Sequence, residues 1–203
     1  MSRPLFAFAL ALAFFTFTFG VRSFMMWRRT GTTGFRGISG RVGSLEWLGG
    51  VGFAVAIGLV FVAPLAELAQ WIAPLFAQSP PWLDAVAVGL MVTGALGTWW
   101  SQSAMGASWR VGVDDDEQTT LVSNGPFQWV RNPVFSFLMV SLLGFTIFLP
   151  SALSGLAMAV AVFSLEVQVR LVEEPYLRRA HGDAYLLYER QVGRFVPLMG
   201  RAR

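Results

Sequence analysis

The chain contains no cysteine, and all fifteen of its basic residues are arginine. Without cysteine there are no disulfides, no thiolate nucleophile and no sulfur-ligated metal. A single histidine, His181, leaves too little imidazole for a zinc-type site, so no metal is expected. Charge is scarce as well: 13% of residues are Asp, Glu, Lys or Arg, against roughly 25% in soluble domains. The sequence has no Ser/His/Asp constellation, no P-loop and no GxGxxG fingerprint, which removes the common hydrolase, nucleotide-hydrolysing and dinucleotide-binding classes. The net charge of +3 is modest, and the arginines are better explained by membrane topology than by nucleic acid binding.

What fills the chain is apolar. Hydrophobic residues make up 55% of it and the mean hydropathy is +0.56. Five runs stand out: Leu5–Trp27, Leu45–Ala73, Leu83–Met105, Val134–Leu149 and Ser151–Val172. A helix needs roughly 20 apolar residues to span a bilayer core. The fold class is therefore an all-α integral membrane protein of about five transmembrane helices, with an amphipathic, arginine-rich C-terminal helix. Residues 1–203 read as one membrane domain, with the first three helices in 1–105 and a polar loop, a helical hairpin and the tail in 106–203. The first run reads as a retained span rather than a signal peptide, since Arg3 alone is a thin basic leader and no small-residue cleavage site follows. Pro64 is expected to bend the second span. The glycines of the third span are read chiefly as close-packing positions, with a slender lipid tail as the lesser alternative.

Arginine placement sets the expected orientation. The loop after the first run holds Arg28, Arg29, Arg36 and Arg41, the loop after the third holds Arg110 and Arg131, and the connections Ala77–Pro81 and Leu149–Ser151 hold none. The positive-inside rule puts the N-terminus outside and the long loop and the tail in the cytoplasm, with Arg3 as the violation. The expected location is a cytoplasmic membrane of bacterial type.

The informative stretch is Leu121–Phe135, LVSNGPFQWVRNPVF. Proline disfavours helix in the residue before it and suits a first helical turn, so this loop should launch a helix at about Pro133. Helix starts carry unpaired N–H groups and partial positive charge, which suit an anion. A second polar stretch lies at the end of the last run, where Glu166, Arg170 and Glu173 fall at helical spacing on one face and Glu174 and Pro175 follow. Charges at the end of an apolar helix are functional candidates or solvated ion pairs. The acidic run Asp114–Glu117 reads as a solvated turn, because consecutive acids seldom converge on one ion.

Taken together, MGASWRVGV…LVSNGPFQWVRNPVF, an apolar hairpin, and RLVEEPYLRRAHGDAYLLYERQVGRFVP resemble the isoprenylcysteine carboxyl methyltransferase and phospholipid methyltransferase family. The family pattern runs roughly L-V-T-x-G-P-Y-x-x-x-R-H-P-x-Y, then E-E, then F-G-x-x-Y-x-x-Y and a closing Pro. The resemblance covers Met105 to Pro197. It implies a helical bundle in which a cytoplasmic loop and tail enclose S-adenosylmethionine, with a membrane lipid or lipidated small molecule as partner. On the matching positions the cofactor would be held by Thr119, Thr120, Leu121, Val122 and Phe127, by Arg131, Asn132, Pro133 and Phe135, and by Glu173 and Glu174. Arg131 would suit the cofactor carboxylate and Glu173 its cationic groups. Arg110 and Arg170 are substrate-side candidates for clamping a carboxylate acceptor, with Glu173 beside them; an amine acceptor would suit Glu166. Three positions depart from the pattern: Asn132 stands for His, and Phe127 and Phe135 for Tyr. These keep packing surface and remove a titratable ring and two hydroxyls. Two other readings remain open, an NADPH-dependent membrane reductase of sterol or ene type and a non-catalytic membrane scaffold.

Overall fold

In the computed structural model, residues 2–34, 37–76, 79–109 and 120–202 are described. Helix α1 runs over Arg3–Thr30, α2 over Leu45–Leu68, α3 over Pro81–Met105, α4 over Pro133–Phe148, α5 over Ala152–His181 and α6 over Asp183–Gln191. Four of these, α1, α2, α3 and α5, are long and apolar enough to cross a membrane. The fifth expected span, α4, has 16 residues, about 24 Å of helix at roughly 1.5 Å per residue. It is shorter than the hydrocarbon core it was expected to cross. The chain is an all-α membrane protein.

The helix boundaries follow local chemistry. Proline opens α1, α3 and α4 at positions where its missing N–H costs nothing. Ser44 caps α2 by accepting a hydrogen bond from the Trp47 N–H at 3.2 Å. Ser151 and Ser154 form a reciprocal capping box at the start of α5, which makes the Leu149–Ser151 connection a tight hairpin. The second span stops at Leu68, short of Ala73, because the chain turns at Ala69 and Gln70, with Gln70 left-handed at φ 61°. Pro64 lies within α2. The exposed rings of Trp71 and Trp82 flank the α2–α3 connection.

Helix α5 continues through Glu173, Glu174 and Pro175. A π turn over Gln168–Glu173 accommodates Pro175 by widening the turn before it. A second π turn, Thr16–Val21, interrupts α1.

The core joins α1 through Ala7 and Ala11, α2 through Ala56 and Ala63, α4 through Phe145 and Phe148, and α5 through Ala157 and Ala161. Gly94 and Gly97 of α3 serve packing. A Cβ on Gly94 would lie 2.5 Å from the Ser141 Cβ, and one on Gly97 2.2 Å from the Phe137 ring, so α4 already fills the space a lipid tail would need. At the end of the bundle opposite the polar loop, Arg3 donates to Ser79 Oγ and the Phe148 carbonyl and pairs with Asp84. The one basic residue at odds with the arginine distribution is therefore locally compensated.

Candidate functional site

The loop 120–132 is held against the tail by backbone pairing. The N–H groups of Arg131 and Asn132 donate to the carbonyls of Gly193 and Arg194 at 2.7 and 3.1 Å. The Asn132 side chain donates to the same Arg194 carbonyl, and Ser136 Oγ donates to the Phe195 carbonyl. Tyr188 Oη donates to the Phe127 carbonyl. The chain then enters α4 at Pro133, as the proline grammar of the loop required.

Behind this seam lies a cavity of about 480 Å³. Thr120, Leu121 and Val122 line it from the returning loop, and Phe127 from the turn that follows. Arg131, Asn132, Pro133 and Phe135 line it at the start of α4, and Glu173 from α5. Nine of the eleven positions marked for the cofactor thus face one space. Arg110 and Thr119 lie outside the described residues, as does the acidic run 114–117.

Glu174 does not reach the cavity lining. Its side chain is buried behind the wall and accepts from Arg131 Nη2 and Arg194 Nε, each at 2.7 Å, and from Arg194 Nη2 at 2.9 Å. Arg178 joins this network, 2.9 Å from Glu189. Arg131 has a structural burden that the sequence did not reveal. Its Nη1 donates to the Glu189 and Val192 carbonyls and its Nη2 to Glu174 and the Gly200 carbonyl, which leaves Nε as its buried atom without a partner. Both terminal nitrogens of Arg131, expected to suit the cofactor carboxylate, are thus engaged by the protein itself.

Arg170 is absent from the cavity lining. Its side chain is 56% exposed and is paired with Glu166 one turn earlier. The π turn explains the separation: the added residue breaks the 3.6-residue register between Gln168 and Glu173, so Glu173 no longer shares the Glu166–Arg170 face.

Several lining residues carried no assignment. Tyr176, Tyr185 and Tyr188 face the cavity from α5 and α6. The last two stand in the Y-x-x-Y spacing quoted above, which was a usable signal. Burial raises the pKa of Tyr185 and of Tyr188 well above the ordinary tyrosine value of 10.0, so both hydroxyls stay protonated. Trp109, almost wholly buried, forms another wall. Its ring lies 5.4 Å from the Arg22 guanidinium, which donates through Nη2 to the Gln102 and Gly106 carbonyls at the C-terminus of α3. A lone arginine in an apolar run gave no hint of this partner. Both π turns border the cavity, the first next to Phe15, Phe19 and Ser23, the second at Gln168 and Glu173. Among the described residues no group of three or more His, Asp or Glu side chains is arranged to hold a metal ion.

A family model described as phospholipid methyltransferase matches residues 82–184, about half of the chain. The chain belongs to that family. No curated protein matches it. Membership makes it a methyltransferase of lipid-type substrates and agrees with the apolar helices of an integral membrane protein. The matched segment runs from α3 into the first residues of α6 and so contains the 120–135 loop and Glu173. Helices α1 and α2, Tyr185, Tyr188 and Arg194 fall outside it.

Proposed function

We propose that the protein transfers a methyl group from S-adenosylmethionine to a lipid-like or amphiphilic acceptor at the cytoplasmic face of the membrane. The observation that carries this reading is one cavity with two characters. Its polar end gathers the 120–135 loop and Glu173, and its other end is lined by Phe15, Phe53 and Ile57 of the membrane helices. A volume of about 480 Å³ lies within the range of cofactor sites.

The donor set suits the cofactor. When bound, S-adenosylmethionine supplies an electrophilic methyl on a cationic sulfur. Glu173 offers a negative charge to its cationic groups, and Phe127 and Tyr176 offer aromatic faces. The N–H groups at the Pro133 helix start suit a carboxylate there. The two terminal nitrogens of Arg131 hold the tail in place and so shape the site instead of clamping the ligand. Direct displacement asks the protein to align donor and acceptor and to exclude water. Trp109, Tyr185 and Tyr188 serve that exclusion by closing the cavity wall. The Asn132 side chain orders the loop through its bond to the Arg194 carbonyl, and this needs no titratable group at that position.

The arginine-poor end, where Arg3 is compensated by Asp84, supports an outside N-terminus and a cytoplasmic cavity. The test is calorimetry on purified protein with S-adenosylmethionine, its demethylated product and NADPH, followed by transfer of labelled methyl into a lipid extract. Binding of the first two alone, with label appearing in a lipid, is the expected result. Binding of NADPH alone overturns the proposal.

A further inference from the structure

The apolar end of the cavity adjoins a second space inside the bundle. Phe15, Phe53 and Ile57 line the main cavity and also a second, smaller void of about 30 Å³. Ala56, Val60 and Ala161 bound that void from α2 and α5. Protein interiors are ordinarily packed without such gaps, and an apolar gap stays dry. The void has one polar lining side chain, Ser141, whose hydroxyl is directed to the Met91 carbonyl at 3.3 Å. Along α2 the combined lining extends from Gly50 to Val60, ten helical steps or about 15 Å at roughly 1.5 Å per residue. One wall of the passage is a packed aromatic set, with the Phe15 ring 5.9 Å from Phe19 and 5.5 Å from Phe61.

We propose that this arm receives a single hydrocarbon chain of the acceptor, and that Phe15, Phe53 and Ile57, with Ala56 and Ala161 beneath them, set the chain length accepted. A void of about 30 Å³ holds the end of one chain and has no room for two. Its walls at Ala56 and Ala161 are small and nearly fully buried, so a larger side chain at either position projects into the space the chain end would fill. The residues that make the arm on α1 and α2 lie outside the segment matched by the family, so this selectivity belongs to this chain's own helices. The inference rests on the proposed methyl transfer only in that the reacting headgroup sits at the polar end.

The test uses the full-length protein in detergent with two homologous probe series, n-alkyl carboxylates and n-alkylamines from octyl to octadecyl. Each series carries a photoreactive diazirine at the chain end, and competition is measured beside cross-link mapping. Labelling of α2 and α5 at the level of Ala56 and Ala161, with a clear optimum in chain length, is expected. Ala56→Leu should move the optimum to shorter chains and Ile57→Ala to longer ones, each methylene turned out of the arm costing about fourfold in affinity. Binding of the demethylated cofactor product, measured on the same variants, should not change and also reports that they are folded. Labelling confined to lipid-facing positions such as Val55 and Val62, or an optimum unmoved by both substitutions, overturns the proposal while leaving the cofactor reading intact. Failure of the wild type to bind the cofactor product overturns that reading separately.

Discussion

Arg131 and Glu174 are joined at 2.7 Å where both side chains are almost fully buried, and Arg194 completes the cluster from the tail. This ion network fastens the loop 120–132, helix α5 and the C-terminal segment to one another. Removing Glu174 leaves two guanidinium groups without their shared carboxylate, and removing Arg131 leaves the buried Glu174 with one arginine fewer to offset its charge; breaking a buried pair in this way costs up to roughly 3–5 kcal/mol. Glu174→Gln and Arg131→Ala should therefore lower the thermal midpoint in detergent strongly, with loss of cofactor binding following from loss of structure. Glu173→Gln should leave the midpoint near that of the wild type and weaken binding of the cofactor product. A melting curve and a titration on each variant separate the two outcomes. Equal melting of the Glu174 and wild-type proteins would show that the network contributes little.

The Arg22–Trp109 contact ties the first helix to a cavity wall. Arg22 is nearly fully buried, and its guanidinium both caps the end of α3 and lies over the indole. Arg22→Lys retains the charge but cannot reproduce the planar stack together with two carbonyl bonds. Amide exchange at Gly106–Trp109 should accelerate in Arg22→Lys and more so in Arg22→Met, measured by exchange mass spectrometry. Unchanged protection in both variants would show that the wall is held by other contacts.

Helix packing gives a paired prediction. Gly94→Ala would bring a Cβ within 2.5 Å of the Ser141 Cβ and 2.6 Å of the Phe137 carbonyl oxygen. It should destabilise by about 1–3 kcal/mol, the usual cost of overpacking. Gly89, on the same helix, has nothing within 4 Å of an added Cβ. Gly89→Ala should be neutral or stabilising by up to roughly 1 kcal/mol. Thermal melts of the two variants, side by side, check the contrast.

Alkaline pH should unfold the cavity side first. Tyr185 and Tyr188 are buried with pKa values raised above 10.0, chiefly by desolvation and, for Tyr185, also by the negative charge of Glu174. Above that value the unfolded chain loses tyrosine protons that the folded chain keeps, so stability falls as pH rises. Below it, both states are protonated and these groups contribute no slope. Stability measured from pH 8 upward should decline beyond about 10, and Tyr185→Phe should flatten the decline. A slope that is the same in wild type and variant would assign the effect elsewhere.

The helices, the loop that launches α4 at Pro133 and the hairpin at Pro150 were legible because proline, serine caps and long apolar runs act locally. The convergence of Thr120–Val122, Phe127 and Asn132–Phe135 with Glu173 was legible through the ordered motif. Three features were not. The partners of Arg131 are mostly backbone carbonyls of residues 189–200, and a carbonyl leaves no mark in a sequence. The displacement of Arg170 comes from a π turn, whose single extra residue is invisible to a helical-spacing argument. The apolar arm is built by α1 and α2, which are distant in sequence from the loop they serve, and only packing brings them together.

The π turn in α1 carries a consequence for how such a cavity can diversify. A π turn is an α-helical turn with one residue to spare. Six residues of π winding turn through about the same angle as five of α winding. Losing a single codon between Thr16 and Val21 would therefore restore regular winding and leave Arg3–Phe15 nearly in place relative to the segment that follows. Phe15 would keep its place on the cavity, and only the bulged turn beside it would be drawn in. Gaining a codon in the regular part of the helix would instead rotate the preceding residues by about 100° and exchange the lining face. The first helix is thus built to lose a residue more easily than to gain one.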